Sequence, residues 1–382
     1  MKKKRIVMDA SSVFPFEGKN LAGIGRTTLE LVRALEKIES LPFELVLFGQ
    51  RLSRERFQRY GFSSLVRYLR LPRWACFNWL RNKLPVVELL TGANLLHITS
   101  NYAPVFKSQK TIVTIHDAMF LTYPEGHLHS TEKTDEILGL ARTCRAIITC
   151  SENSKKDLVV HGGINADKIL VIYWGYDQEL FFKIKDTTVV QDFLKKWFHL
   201  EAPYFFCVSC DIGRKNSPAV VENYLKLIDK ENSHDLVMVW PNPPQNIIDQ
   251  VSTHSKGKNV HFLANISDEE LRYLYNGATV LLFPSEYEGF GLPVLEAMAC
   301  GTPVVTCNVS SLPEVGGKAA IYIEPGDHKA LLRKMESFAR GECNREKLSQ
   351  KCMAQAKEFS WQKCARQTVQ VYCDCLGISC EK

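Results

Sequence analysis

The sequence has no apolar run near the roughly 20 residues that a membrane-spanning helix requires, which argues against an integral membrane protein. It has no internal repeat and no low-complexity tract, so neither a solenoid nor a compositionally biased segment is expected. Cysteine is plentiful at 13, but a pairing pattern is missing. The count is odd, and most positions fall in apolar runs read as strands and helices, as free buried thiols do. No disulfide framework is expected, and Cys373, Cys375 and Cys380 show no spacing signal. Cys207 and Cys210 form a CxxC without a second pair at zinc spacing, so no metal or redox site is expected there. A strong charge of one sign is lacking too: the formal net charge of +6 is a modest excess, suited to anionic ligands or lipids. No recognisable nucleic-acid-binding module accompanies it, and nucleic acid is not an expected partner. The start, MKKKRIVMDASSVF, has a basic head, but Asp9 interrupts its apolar part after three residues. It reads as an opening strand rather than a signal peptide, and a cytoplasmic location is expected.

A chain of 382 residues with 45% hydrophobic content suits two soluble domains, each able to bury a full sheet. Apolar runs at Leu45–Phe48, Leu95–Ile98, Thr111–Ile115, Ala146–Thr149 and Ile169–Tyr173 alternate with helical or irregular segments. After the Trp174-Gly175-Tyr176-Asp177 turn a second series begins: Tyr204–Val208, Leu236–Trp240, Val260–Leu263, Val280–Phe283, Val304–Thr306 and Ala320–Ile323. Short apolar runs alternating with helical patterns predict α/β structure, two Rossmann-like doubly wound parallel sheets. The expected domains are residues 1–177 and 178–358, with a final helical segment, 359–382, carrying Ala365, Val369 and Tyr372 at helical spacing.

The chemistry concentrates in Val280 to Thr306, VLLFPSEYEGFGLPVLEAMACGTPVVT. Pro284 and Ser285 break the strand, so the polar cluster emerges at its carboxyl end, where open α/β sheets bind ligands. Gly289, Phe290 and Gly291 let backbone approach a ligand, and Leu292 and Pro293 begin a helix that Gly301 stops. A helix N-terminus offers unpaired N–H groups and partial positive charge, which favours phosphate. Glu288 and Glu296 bracket it as acceptors for hydroxyl groups. Phosphate plus several hydroxyls describes a nucleotide sugar. Two further segments suit anions: Gly23-Ile24-Gly25-Arg26, after which Thr27 or Thr28 can cap a helix, and the cationic Arg214-Lys215-Asn216 after the first strand of the second series. His116 ends the run Thr111–Ile115, and Ser151 heads a helix start at which Ser154 and Asp157 have the spacing of a capping box.

Glu288, seven intervening residues and Glu296, within EGFGLPVLEAMACGTPVV, resemble the signature of glycosyltransferase family 4, the retaining enzymes of GT-B architecture. The resemblance implies two Rossmann-like domains facing across a cleft, with the last helix returning to the first domain. It implies that Gly23 and Gly25 approach the donor diphosphate and that Arg214 and Lys215 bind its phosphates. It further implies that His116, in the HD pair with Asp117, meets the donor sugar near the reacting carbon, that Glu288 takes sugar hydroxyls and that Glu296 takes ribose hydroxyls. Gly289, Phe290, Gly291 and Leu292 complete the donor-binding turn. Many relatives carry another Arg a few residues before the basic pair; here the text is Ser209-Cys210-Asp211-Ile212-Gly213, so phosphate anchoring leans on Arg214, Lys215 and helix ends. No metal and no other cofactor is expected. The text around Glu288, with SSLPEVGG downstream, looks most like bacterial mannosyltransferases of surface polysaccharide synthesis that use GDP-mannose, acting on a glycan or lipid-linked glycan. A nucleotide-sugar epimerase, which would act on donor alone, and a non-catalytic nucleotide-sugar-binding protein are the alternatives.

Between Gln50 and Glu88 nine Lys and Arg meet a single acid, Glu55, and are interleaved with aromatics such as Tyr68, Trp74 and Trp79. Residues 51–83 are therefore a candidate contact with an anionic membrane surface, against the alternative of a basic helix whose aromatics pack inward.

Overall fold

The computed structural model describes residues 3–13, 23–50, 65–69, 84–101, 108–123, 131–209, 213–230 and 234–380. Two compact units emerge: Met1–Gly175 with Ser360–Lys382, and Tyr176–Phe359. Each is built on a parallel sheet.

In the first unit the strands are β1 Arg5–Asp9, β2 Glu44–Gln50, β3 Leu65–Leu69, β4 Leu95–Ile98, β5 Thr111–Thr114, β6 Ala146–Thr149 and β7 Ile169–Val171. Their order is β3-β2-β1-β4-β5-β6-β7, every pair parallel. Because successive side chains of a strand point to opposite faces, the strands feed two cores. Ile6, Met8, Leu45 and Leu47 enter one, while Val7, Val46 and Phe48 enter the other. In the second unit β8 Tyr204–Val208, β9 Asp235–Val239, β10 Val260–Leu263, β11 Val280–Phe283, β12 Val304–Cys307 and β13 Ile321–Ile323 lie in the order β10-β9-β8-β11-β12-β13, again all parallel. Both sheets reverse their winding once, at β1/β4 and at β8/β11, and such switch points are where open α/β sheets hold ligands.

The two doubly wound sheets expected from the apolar runs are present, and three local readings change. β3 lies within the arginine-rich stretch; reading that stretch for its cations and aromatics hid its short LVRYL strand. The remainder of the proposed membrane-contact segment lies outside the described residues. Thr27 and Thr28 do not cap a helix: the helix starts at Gly23 and both hydroxyls, 2.9 Å from the Ile24 carbonyl oxygen, donate to it from inside the first turns. Threonine satisfies itself in this way when the backbone continues helical. Near the end, Cys373 and Cys380 form a disulfide, with Cα atoms 6.0 Å apart, where free thiols were expected. Gly377, in the left-handed conformation at φ 60°, ends the last helix and turns the chain back, so two cysteines without a sequence signal meet.

That last helix, Trp361–Leu376, starts on the Ser360 cap and shares a core with the helix Gly23–Glu36 and one face of the first sheet. It is also tied by a buried polar contact. His97 of β4 is fully buried, its Nδ1 2.6 Å from the Tyr372 hydroxyl and its Nε2 2.8 Å from Thr114 Oγ1. Burial, aided by the nearby His116, pushes the His97 pKa down to about 3, so the ring is neutral in the fold. In the unfolded chain it protonates near 6.5, and only the unfolded state gains that proton as pH falls. Stability is therefore lost from about pH 6.5 downward, at about 1.4 kcal/mol per pH unit for this ring, until about pH 3. Urea unfolding at pH 7 and pH 5 should show that loss, and it should shrink in His97→Gln.

Candidate active site

At the second switch point, β8 leads toward the short turn Gly213–Lys215, and Asn216 at φ 52° brings the chain into the helix Ser217–Lys230. Beside it, β11 ends at Phe283, and Pro284 and Ser285 start the glycine turn, as expected from the sequence. The two loops are stitched together: the Glu286 N–H donates to the Arg214 carbonyl at 2.8 Å.

Glu288 is the hub. Its Oε1 lies 2.6 Å from Arg214 Nη1, 2.6 Å from Lys215 Nζ and 2.7 Å from Ser285 Oγ. All three ionic side chains are about nine-tenths buried. Burial alone would raise the Glu288 carboxyl, but the Lys215 and Arg214 charges, with hydrogen bonds from Lys215 and Ser285, outweigh it and hold its pKa below the ordinary value. The trio carries one net positive charge. Arg214 is held further by the Tyr287 carbonyl at 2.6 Å, while Lys215 sits 4.3 Å from the centre of the Phe283 ring. These three contacts all fall on Oε1, and Glu288 Oε2 accepts no hydrogen bond from a described residue.

The turn after Glu288 is fixed from below. Its N–H donates to Ser310 Oγ at 3.0 Å, and Ser311 Oγ lies 2.9 Å from both the Glu288 and Phe290 carbonyl oxygens. Gly291 has φ 105°, a conformation that L side chains rarely adopt, and a Cβ there would meet Leu312 at 3.1 Å. The helix Leu292–Ala299 follows, with Pro293 in its first turn. Gly289 and Leu292 are half-buried and Phe290 is buried. Glu296, 4% exposed, accepts from the Tyr275 hydroxyl at 3.2 Å and lies one turn along the helix, apart from the trio.

The first unit has its own cluster beyond β4 and β5. His116 is 5% exposed; Nε2 lies 2.6 Å from the Thr99 carbonyl and its backbone N–H donates to Asn101. A carbonyl partner requires the proton on Nε2, leaving Nδ1 as an acceptor with no partner among the described residues. The ring is 5.2 Å from that of Trp174, and burial pushes its pKa down, so it is neutral at pH 7. Gly23 and Gly25 occupy the first turn of their helix, and nothing stands within 4 Å of a Cβ built at Gly23. Ser151 caps the helix Glu152–Val160 by accepting the Ser154 N–H at 3.1 Å; the expected Ser154–Asp157 box is not used. The structure thus gathers Arg214, Lys215 and Glu288 at one point and leaves Glu296 along the helix, while His116, Gly23 and Gly25 belong to the other unit. Sequence reasoning missed Ser285, Ser310, Ser311 and Tyr275. Ser285 was read only as a strand break and the serine pair in SSLPEVGG was given no role, because a serine's partners depend on chain reversal that local text does not encode.

Two doubly wound parallel sheets, one with a cation pair and a glycine-opened helix at its switch point, define a sugar transferase of the GT-B class. The glycosyl transferases group 1 model matches residues 192–359, and the Glycosyltransferase Family 4 model matches residues 21–180. The chain belongs to glycosyltransferase family 4 and is a hexosyltransferase. It is 28% identical to O-antigen chain mannosyltransferase B of Escherichia coli over 375 residues, 92% of this chain and 96% of that one. It is 25% identical over 328 residues to O-antigen chain mannosyltransferase RfbU of Salmonella typhimurium, covering 82% and 86% of the two chains. In fold it resembles Anabaena HepE, solved in complex with UDP and glucose, with a TM-score of 0.75 at 15% identity over 97% of this chain and 100% of that one.

Glu288→Gln leaves two buried cations beside a neutral amide, and the loss of a buried partner costs on the order of 3–5 kcal/mol. Equilibrium unfolding in urea should show a drop of that size for the second unit; an unchanged midpoint would mean that the trio contributes nothing to stability.

Proposed function

We propose that the protein is a retaining mannosyltransferase that moves mannose from GDP-mannose to a glycan or lipid-linked glycan of a surface polysaccharide. The observation that carries this reading is the Arg214–Lys215–Glu288 trio, two desolvated cations held on a carboxylate that stands four residues ahead of the helix Leu292–Ala299. In the reaction the bond from the anomeric carbon to the phosphate oxygen breaks and its electron pair goes to the diphosphate. Arg214, Lys215 and the first N–H groups of the helix stabilise that growing charge. The acceptor oxygen bonds to the same face of the carbon, and its proton passes to the departing phosphate, giving the glycoside and GDP. Glu288 has two separate tasks: Oε1 aligns the cations, and Oε2 accepts a sugar hydroxyl. Glu296, oriented by Tyr275, accepts the ribose hydroxyls. From the first unit, Gly23 and Gly25 give the diphosphate close backbone approach, and neutral His116 offers Nδ1 as an acceptor to the sugar. Mannose as the donor sugar, and surface polysaccharide as the product, draw support from the E. coli and Salmonella relatives, both O-antigen chain mannosyltransferases; GDP rests on the text around Glu288 and SSLPEVGG.

Turnover is tested with GDP-mannose, UDP-glucose and dTDP-rhamnose, each with and without a lipid-linked glycan acceptor and in the presence of EDTA. GDP-mannose should be consumed only when acceptor is present, with the anomeric configuration kept and activity retained in EDTA. In Lys215→Ala, kcat should fall about 100-fold or more while donor binding changes little, since the cation acts on charge that develops in the transition state. Product from donor alone would favour an epimerase, and an unchanged kcat would remove Lys215 from the mechanism.

No helix among the described residues is long and apolar enough to cross a membrane. We propose that residues 51–83 dock the protein on the cytoplasmic face of an anionic membrane, bringing it to a lipid-linked acceptor. Co-sedimentation with anionic vesicles should weaken at high salt and in a variant carrying Glu at Arg67, Arg70 and Arg73. Equal sedimentation of both proteins would refute this surface.

A further inference from the structure

Thr114 and His116 stand two residues apart where β5 ends, and the period of an extended chain puts both on one face. Ile112 shares that face: it enters the core beneath the last helix, while Val113 and Ile115 enter the other core. Between this face, the helix Gly23–Glu36 and the last helix lies a small cavity, lined by Thr114 and His116, by Thr27 and Thr28, and by Trp361 and Thr368. It measures about 20 Å³, against the roughly 10–15 Å³ that one water requires.

The hydrogen bonds around this cavity can be followed proton by proton. Tyr372 is fully buried, and among the described residues its hydroxyl meets only His97 Nδ1, at 2.6 Å. A buried hydroxyl proton needs an acceptor, so the phenol donates and Nδ1 accepts. Burial keeps the His97 ring neutral, which leaves its single proton on Nε2. That nitrogen donates to Thr114 Oγ1 at 2.8 Å. Thr114 therefore accepts from His97 and still has its own proton to give, and no described residue takes it. His116 has the opposite need. Its Nε2–H goes to the Thr99 carbonyl, and Nδ1 remains a buried acceptor without a donor among the described residues. A donor and an acceptor that do not reach each other thus line one cavity of about a water's size. The second proton of a water there also has acceptors. Thr27 and Thr28 donate to the Ile24 carbonyl and Thr368 donates to the Cys364 carbonyl, which leaves the lone pairs of all three hydroxyl oxygens open.

We propose that a buried water occupies this cavity, accepting from the Thr114 hydroxyl and donating to His116 Nδ1, and that Thr114 is thereby a positioning residue for His116. A polar chain then runs without a gap from Tyr372 on the last helix through His97, Thr114 and the water to the His116 ring. The ring is held at both nitrogens, and Nδ1 is kept in the acceptor form. The bridge itself does not depend on the reaction assigned above. Its consequence for catalysis rests on the reading of His116 as the group that meets the donor sugar: the sugar hydroxyl takes over a hydrogen bond that the water has kept in line.

A crystal structure of the wild type should show an ordered water about 3 Å from both His116 Nδ1 and Thr114 Oγ1. Density for other buried waters but none here would overturn the proposal. Nitrogen-15 spectra of histidine-labelled protein read the acceptor itself, the His116 signals being assigned by their loss in His116→Gln. In wild type and in Thr114→Ser, Nδ1 should resonate as a hydrogen-bonded acceptor. In Thr114→Val, which keeps the shape and removes the hydroxyl, it should move toward a free ring nitrogen. An unmoved signal in Thr114→Val, with a thermal midpoint showing that it is folded, would also overturn the bridge, and the wild-type crystal carries the test should that variant not fold. Sugar transfer should fall roughly three- to tenfold in Thr114→Val, the scale of one lost hydrogen bond, and recover in Thr114→Ser. Unchanged transfer in Thr114→Val beside a loss in His116→Gln would remove the positioning role. Unchanged transfer in His116→Gln would instead remove the sugar contact and leave the bridge standing.

Discussion

Three donors converge on a single oxygen of Glu288, and much of the second unit's ligand edge depends on that convergence. Removing a charge from water costs several kcal/mol after relaxation, so none of the three ions would lie buried here alone. Together they offset that cost, and their excess of one positive charge is held in a site where the dielectric is low and an arriving anion is felt strongly. The same contacts clamp the loop after β8 to the loop after β11. The switch point therefore acts as one rigid piece rather than as two neighbouring loops.

The chemistry follows from that rigidity. A leaving diphosphate needs positive groups already in place when its charge develops, because groups that must reorient lose the benefit in doing so. Ser285, Ser310 and Ser311 matter in this sense without touching a ligand: they hold the carboxylate and the turn beneath it. Glycine at 291 supplies the one backbone angle that lets the helix begin directly under the site.

Much of this was legible in the sequence. Parallel strands buried on both faces appear as short apolar runs, and four of the six in the second series, β8, β10, β11 and β12, begin at the expected residue. The EGFGLPVLE text carries its geometry locally, since strand break, glycine turn and helix start are adjacent in the chain. What stayed hidden depends on distant partners. That Arg214 and Lys215 would meet Glu288, 74 and 73 positions away, follows from strand order and not from local text. β3 was masked by its arginine-rich surroundings. His97 looked like an ordinary residue in an apolar run until the last helix brought Tyr372 to it. The Cys373–Cys380 bridge likewise needed the reversal at Gly377.

The position of the last helix bears on how the chain folds as it is made. Trp361, Ala365 and Tyr372 fill the core beneath β1, β4 and the helix Gly23–Glu36, yet they are synthesised after the whole of Tyr176–Phe359. An emerging first sheet must wait, with one face only partly covered and His97 lacking its phenol partner, until about half the protein has followed it from the ribosome. The second unit has no such debt to later residues and can close as soon as its own strands appear. The unit that begins first is therefore the unit that finishes last, and its open face is where a nascent chain of this design is most exposed to wrong partners.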